Sequence, residues 1–301
     1  MTQGTHHATD DPRNRDILIY VNGELRPRAQ AVVSVFDSGF ILGDGVWEGL
    51  RVHRGRIAFL GAHLDRLYEA AKAIDLDIGL ERAALTAALY QTLAANRMTE
   101  GVHMRLMVTR GLKSTPYQDP RAGTGPATVV IIPEYKLPRP ELLTQGVRLF
   151  TVHVRRGAPD VQDPKLNCIT ACIQATKAGA DEALMLDPHG FVATCNSTHF
   201  FIVRRGEVWT SSGDYCIAGI TRANVLRLCR ENGIPAFEKN FSLTETYSAQ
   251  EAFITGTYAG IAPVTEIDGR RISEGRGPMV ERLQQLYLRL IERDIAAQAS
   301  P

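Results

Sequence analysis

The sequence predicts an α+β protein built as two lobes. Three observations carry that expectation. The chain has 301 residues, more than one hydrophobic core usually serves. Short apolar runs broken by turn dipeptides occur in both halves, and helical periodicity follows or surrounds those runs. A hydrophobic content of 44% supports a globular chain throughout.

Residues 16–135 form the expected small lobe. It opens on short apolar runs around "VNGEL", where Asn22-Gly23 is a hairpin signal. "HLDRLYEAAKAIDL" then sets Leu64, Leu67, Ala71 and Ile74 on one helical face, and "ERAALTAALYQTLAANR" repeats the period. "GVHMRLMVTRG" and "ATVVIIPEY" follow as β-rich segments. "KLPRPELLTQG", 136–146, carries two prolines and reads as a linker. Residues 147–301 form the larger lobe. There "DEALMLDPHGFVAT" and "FFIVRRGEVWT" turn at His189-Gly190 and Arg205-Gly206, amid helical patterns at 169–178, from Thr221, and in "MVERLQQLYLRLIERDI".

Charge excludes several partners. With 34 basic and 33 acidic residues the net charge is +1, which gives no electrostatic case for nucleic acid or a membrane surface. The opening "MTQGTHHATDDPRNRD" lacks the apolar core of a secretory signal, so residues 1–15 are expected to be a disordered tail, with His6 and His7 solvated. No apolar run has the length of a membrane span. Five cysteines without a CxxC pair read as reduced thiols of a cytoplasmic protein. A small-molecule ligand is the expectation that remains.

Phosphate-type features point to which kind. In "AGITRANV" a small-residue turn runs into a helix, with Thr221 expected at the N-cap and backbone N–H groups from Gly219 through Thr221 facing any anion. "FITGTYAGIAPV" sets Gly256 and Thr257 after an apolar strand, where a second loop presents a hydroxyl and N–H groups. Arg66 on the HxxR helix supplies a guanidinium, and Lys165 in "DPKLNCIT" supplies an amine. Singly, each has a bland reading as a capped helix, a turn or a solvated charge. Together they are what a pyridoxal phosphate site needs.

From about Asp16 to Glu292 the chain resembles the fold-type IV pyridoxal-phosphate aminotransferases. The resemblance rests on "GDGVWEGLRVHRGRI", "HLDRL", "GITR", "TGTYAGIAPVTEIDGR" and "RGPMVERLQQLY", in that order. It implies a two-lobed, class IV fold and a homodimer that moves an amino group between an amino acid and a keto acid. "GDGVWEGLR" is closest to the branched-chain type. Carried over by position, Lys165 is the Schiff-base lysine and proton carrier. Arg66, Gly219, Ile220, Thr221, Gly256 and Thr257 hold the cofactor phosphate. Trp47, His103, Arg105, Tyr258 and Ala259 lie on the substrate side.

Three departures from the family pattern stand out. Thr194, in the cofactor-binding set, stands where the family has a glutamate paired with the pyridine nitrogen, and a neutral hydroxyl stabilises a pyridinium less than a carboxylate does. Only 17 positions separate Lys165 from Glu182, fewer than the family usually has. Gly260 and Ala262 replace a larger polar residue and a hydroxyl. Slower or altered transamination follows as an alternative expectation, alongside a D-amino-acid aminotransferase and a lyase of the aminodeoxychorismate type.

Overall fold

The computed structural model describes residues 4–6, 10–156 and 166–298. The described residues divide into two compact units: one of residues 10–137 and 293–298, the other of residues 4–6, 138–156 and 166–292. The mixed α+β architecture expected from the sequence is the one adopted.

The smaller unit holds a six-stranded antiparallel sheet. Its strands are β1 (Leu18–Val21), β2 (Glu24–Pro27), β3 (Gly45–His53), β4 (Arg56–Ile57), β5 (Val102–Thr109) and β6 (Thr128–Tyr135), in the order β2-β1-β6-β5-β3-β4. Asn22 (φ 49°) and Gly23 (φ 94°) close the β1–β2 hairpin, both in the left-handed region that the tightest hairpin turns require. Short α1 (Ser38–Leu42) is followed by α2 (Leu60–Ala73) and α3 (Arg82–Ala95). Leu64, Leu67, Ala70 and Ala71 of α2 pack with Leu85, Leu89 and Leu93 of α3 against Leu50, Val52, Met104 and Leu106 of the sheet. Alternation makes this possible, because even-numbered residues of β3 and β5 all point to the helical side.

The larger unit is organised on a mixed sheet. After α4 (Pro140–Thr144), which lies inside the stretch read as a linker, come β7 (Val147–Val152), α5 (Leu166–Lys177), β8 (Glu182–Leu186), β9 (Val192–Cys195), β10 (His199–Arg204), β11 (Glu207–Thr210), α6 (Ile220–Glu231), β12 (Ala236–Glu238), α7 (Leu243–Tyr247), β13 (Glu251–Gly256), β14 (Gly260–Ile267) and β15 (Arg270–Arg271). The order is β12-β11-β10-β13-β14-β7-β8-β9, with β15 beside β14. β7 joins both neighbours in parallel, whereas the β10–β13–β14 ladder is antiparallel. α8 (Pro278–Ala297) closes the chain. Among the described residues, no helix is long and apolar enough to cross a membrane.

Phe200, Ile202, Ala252, Ile254, Ala262 and Val264 fill the core on one face of this sheet. His199, Phe201, Phe253 and Thr255 therefore point to the other, where the Phe201 and Phe253 rings stack 4.8 Å apart. Gly146, at the entry to β7, has φ 79°, and a Cβ there would lie 2.6 Å from the Pro263 carbonyl oxygen. A Gly146→Ala variant is expected to lose roughly 1–3 kcal/mol of stability, read from its denaturation midpoint.

Candidate active site

In the larger unit the chemistry gathers around the start of α6. The structure corrects one expectation: Gly219, not Thr221, is the N-cap, and Thr221 is the second helical residue. Gly219 makes no side-chain cap bond, and the first N–H groups of any α-helix lack intrahelical acceptors. The N–H groups of Ile220 and Thr221 thus stand at the positive end of the helix dipole.

Gly219 is a glycine for a steric reason. The His199 ring lies against it, so that a Cβ would come within 2.2 Å of a ring carbon. His199 Nε2 is 2.8 Å from the Ile217 carbonyl oxygen, which fixes the ring beneath the turn. Across the ladder from His199 is Thr255. Its hydroxyl is buried and has no hydrogen-bond partner among the described residues, an uncommon state that marks a polar group awaiting a ligand or water. Gly256 ends β13, and the turn of Thr257, Tyr258 and Ala259 leads to Gly260 of β14. Thr257 and Ala259 are half-buried, whereas Tyr258 is buried. Thr221 Oγ1 approaches the Tyr287 hydroxyl of α8 at 3.4 Å, and Tyr287 also flanks Gly260. The sequence-predicted residues Gly219, Ile220, Thr221, Gly256, Thr257, Tyr258 and Ala259 are thereby brought onto one unit.

Thr194 is fully buried on β9, and its hydroxyl donates to the Thr198 carbonyl oxygen at 3.0 Å. The register pairs Thr194 with Met185 and Cys195 with Leu184. Residues opposite one another share a face, so Glu182 points to the Cys195 side, away from Thr194. Glu182 is completely buried; Oε1 accepts from the Ser197 N–H (2.8 Å) and the Thr198 hydroxyl (2.9 Å), and Oε2 from the Thr5 hydroxyl (2.8 Å). Burial pushes its pKa up in spite of these donors. It is not a substitute for the missing glutamate.

The smaller unit carries the other set. On β3, Trp47, Gly49 and Arg51 share one face, and β5 sets His103 opposite Arg51 and Arg105 opposite Gly49. The Arg105 guanidinium lies 3.7 Å above the centre of the Trp47 ring, a cation–π contact. Burial lowers its pKa, with Glu48 and Glu134 acting against that. The His103 ring abuts Gly49, where a Cβ would be 3.2 Å away.

On the opposite face, sequence reasoning missed Glu48. This fully buried carboxylate accepts two parallel bonds from Arg66, Nε to Oε1 and Nη2 to Oε2, each 2.7 Å, and its Oε2 lies 2.7 Å from His63 Nδ1. The HxxR spacing puts His63 and Arg66 on one helical face, and the alternation of "VWEGL" turns Glu48 toward it. Those two patterns were the available signal. On the smaller unit Arg66 is thus an oriented guanidinium held by a carboxylate. Lys165 lies outside the described residues.

Comparisons with known proteins identify the family. The family described as Amino-transferase class IV matches residues 45–267. Branched-chain-amino-acid aminotransferase-like protein 2 of Arabidopsis thaliana is 40% identical over 93% of this chain, which spans about half of it (51%). The putative branched-chain-amino-acid aminotransferase of Methanocaldococcus jannaschii is 40% identical, with 89% and 94% of the two chains covered. A D-alanine aminotransferase of Listeria monocytogenes is 34% identical over 90% of this chain and 94% of its own. Among solved structures, a T.th. branched-chain amino acid aminotransferase with pyridoxamine 5'-phosphate superposes with a TM-score of 0.84 at 29% identity, covering 92% and 95%. The chain belongs to the class IV aminotransferases, a family of pyridoxal-phosphate-dependent transaminases.

The phosphate end of that cofactor fits this chain: the uncapped α6 start and the unpartnered Thr255 hydroxyl are groups an anion satisfies. The ring-nitrogen end fits less well, because Thr194 supplies a neutral hydroxyl already donating elsewhere.

Burial alone would raise the Glu48 pKa, but Arg66 and His63 overcome it and hold the carboxyl below its ordinary 4.5. The folded state therefore binds its proton less readily than the unfolded chain. The stabilisation is fully present above pH 4.5 and is lost as pH falls through the lowered folded value. Urea midpoints measured across that range should fall more steeply for the natural chain than for Glu48→Gln. At neutral pH, Glu48→Ala should cost about 1.5–3 kcal/mol, since it removes the buried carboxylate that accepts the two Arg66 bonds.

Proposed function

We propose that this chain is an aminotransferase that uses pyridoxal phosphate to move an amino group from an apolar amino acid, of branched-chain type, to a keto acid. The observation that carries the proposal is the uncapped start of α6 beside the unpartnered Thr255 hydroxyl and the Thr257 turn. When bound, the cofactor supplies an aldehyde for the amine and a ring that disperses the electron pair released at the substrate α-carbon.

The chain's own groups do the rest. The Ile220 and Thr221 N–H groups and the Thr257 hydroxyl bind phosphate, with Gly219 and Gly256 letting the backbone come close. Arg66 adds a guanidinium that Glu48 and His63 keep in one orientation. Lys165 carries the cofactor covalently and moves the proton. Arg105 attracts a substrate carboxylate, and its stacking on Trp47 limits the positions its fork can take. His103, Tyr258 and Ala259 shape the space for the side chain. A homodimer in the cytoplasm belongs to the same proposal.

A second reading, a homologue with impaired transamination, is favoured by Thr194 and by the 17 positions between Lys165 and Glu182. One experiment separates the two. Borohydride reduction after loading with pyridoxal phosphate should leave the adduct on Lys165 in peptide maps, and leucine should bleach the visible band beforehand. Lys165→Ala should then lower transamination by about 10²- to 10⁴-fold, the usual worth of a positioned acid–base group. Loading without bleaching would select the impaired homologue; adducts scattered over surface lysines would remove Lys165 from the proposal. Turnover of D-alanine in preference to L-leucine would move the substrate to the D-amino-acid class.

A further inference from the structure

Residues 4–6 belong to the polar opening stretch and lie on the larger unit. Thr5 is only 6% exposed, and its hydroxyl donates to Oε2 of the buried Glu182 at 2.8 Å. A threonine hydroxyl has one proton to give. Because Glu182 takes it, the 3.1 Å contact between Thr5 Oγ1 and His6 Nδ1 makes the imidazole the donor. The result is a directed chain from His6 through Thr5 to Glu182.

The His6 ring in turn stacks on Tyr258, with centroids 5.3 Å apart and planes inclined by 23°. Tyr258 occupies the turn between β13 and β14, and hairpin turns ordinarily give their side chains to solvent. Here the side chain is 4% exposed. A buried tyrosine at a turn needs something over it, and His6 is one of the groups that cover it.

We propose that residues 4–6 form a strap latched to Glu182, which lays His6 over Tyr258 in the 257–259 turn and narrows the approach to it, so that a phosphate-bearing ligand reaches this turn more readily when the strap lifts. The inference rests on reading that turn as part of the cofactor site. The latch is strong because Oε2 of a carboxylate without solvent contact takes its hydrogen bond from Thr5. Lifting the strap leaves that oxygen short of a donor, which keeps the closed form the more populated one.

Amide exchange of the 256–260 backbone in the full chain, together with the rate at which added pyridoxal 5'-phosphate loads, tests the strap. Thr5→Val should speed both by about tenfold, the worth of one buried hydrogen bond. His6→Ala should speed both by a smaller factor. Thr5→Ser keeps the hydroxyl and should behave as the natural chain, and His6→Phe keeps the ring stack and should recover protection lost in His6→Ala. Unchanged exchange in Thr5→Val and His6→Ala overturns the strap. Faster exchange with an unchanged loading rate overturns the gating. Should no chain load the cofactor, the proposed cofactor use fails, while the exchange comparison still decides whether the strap is docked.

Discussion

A polar side chain on the covered face of a strand must find its partners within the fold, and that constraint shapes each unit. On β3 the answer for Glu48 is a two-point ion pair with Arg66 and a contact with His63. On β8 the answer for Glu182 is a set of neutral donors: a backbone N–H and two hydroxyls. The same burial consequently gives opposite charge behaviour. Arg66 and His63 hold the first carboxyl below its ordinary pKa, whereas hydroxyls and an amide leave the second above it. Two acids of similar exposure are in this way set for different roles, one to orient a guanidinium and one to anchor a polar segment.

Around α6 the fold leaves polar groups unsatisfied instead. The helix starts without a side-chain cap, and the nearest ladder position from His199 holds a hydroxyl with no described partner. A structural helix end would normally be sealed by Ser, Thr, Asp or Asn, as α7 is by Ser242 with Glu245 in a capping box. Both solutions occur within one unit, and what sets the α6 start apart is the buried Thr255 hydroxyl on the strand beside His199. Close packing of His199 against Gly219 makes that end rigid as well as open.

Much of this was legible from local patterns. Asn22-Gly23, the α2 and α3 periodicities and the "GITR" and "TGT" segments depend on neighbours in sequence, and their elements formed where expected. What was not legible depends on distance along the chain. Thr221 reads as a cap because its residue type suits one, yet the close approach of His199, 20 residues upstream of Gly219, sets the cap at the glycine. The opening stretch reads as solvated because its composition is polar, and only the position of Glu182 reveals why Thr5 is buried. Glu48 looked like one charge in a strand until α2 supplied Arg66 and His63 as its partners.

The placement of β7 has a consequence for how the larger unit is assembled. This strand is bonded in parallel to β8 on one side and to β14 on the other, and β14 begins at Gly260. During synthesis β7, β8 and β9 emerge early, but one edge of β7 has no neighbour until more than a hundred further residues have followed. Pairings so remote in sequence form slowly, and an open strand edge is a template for unwanted pairing with other chains. Completion of this sheet therefore waits for the β13–β14 hairpin that carries the turn at residues 257–259.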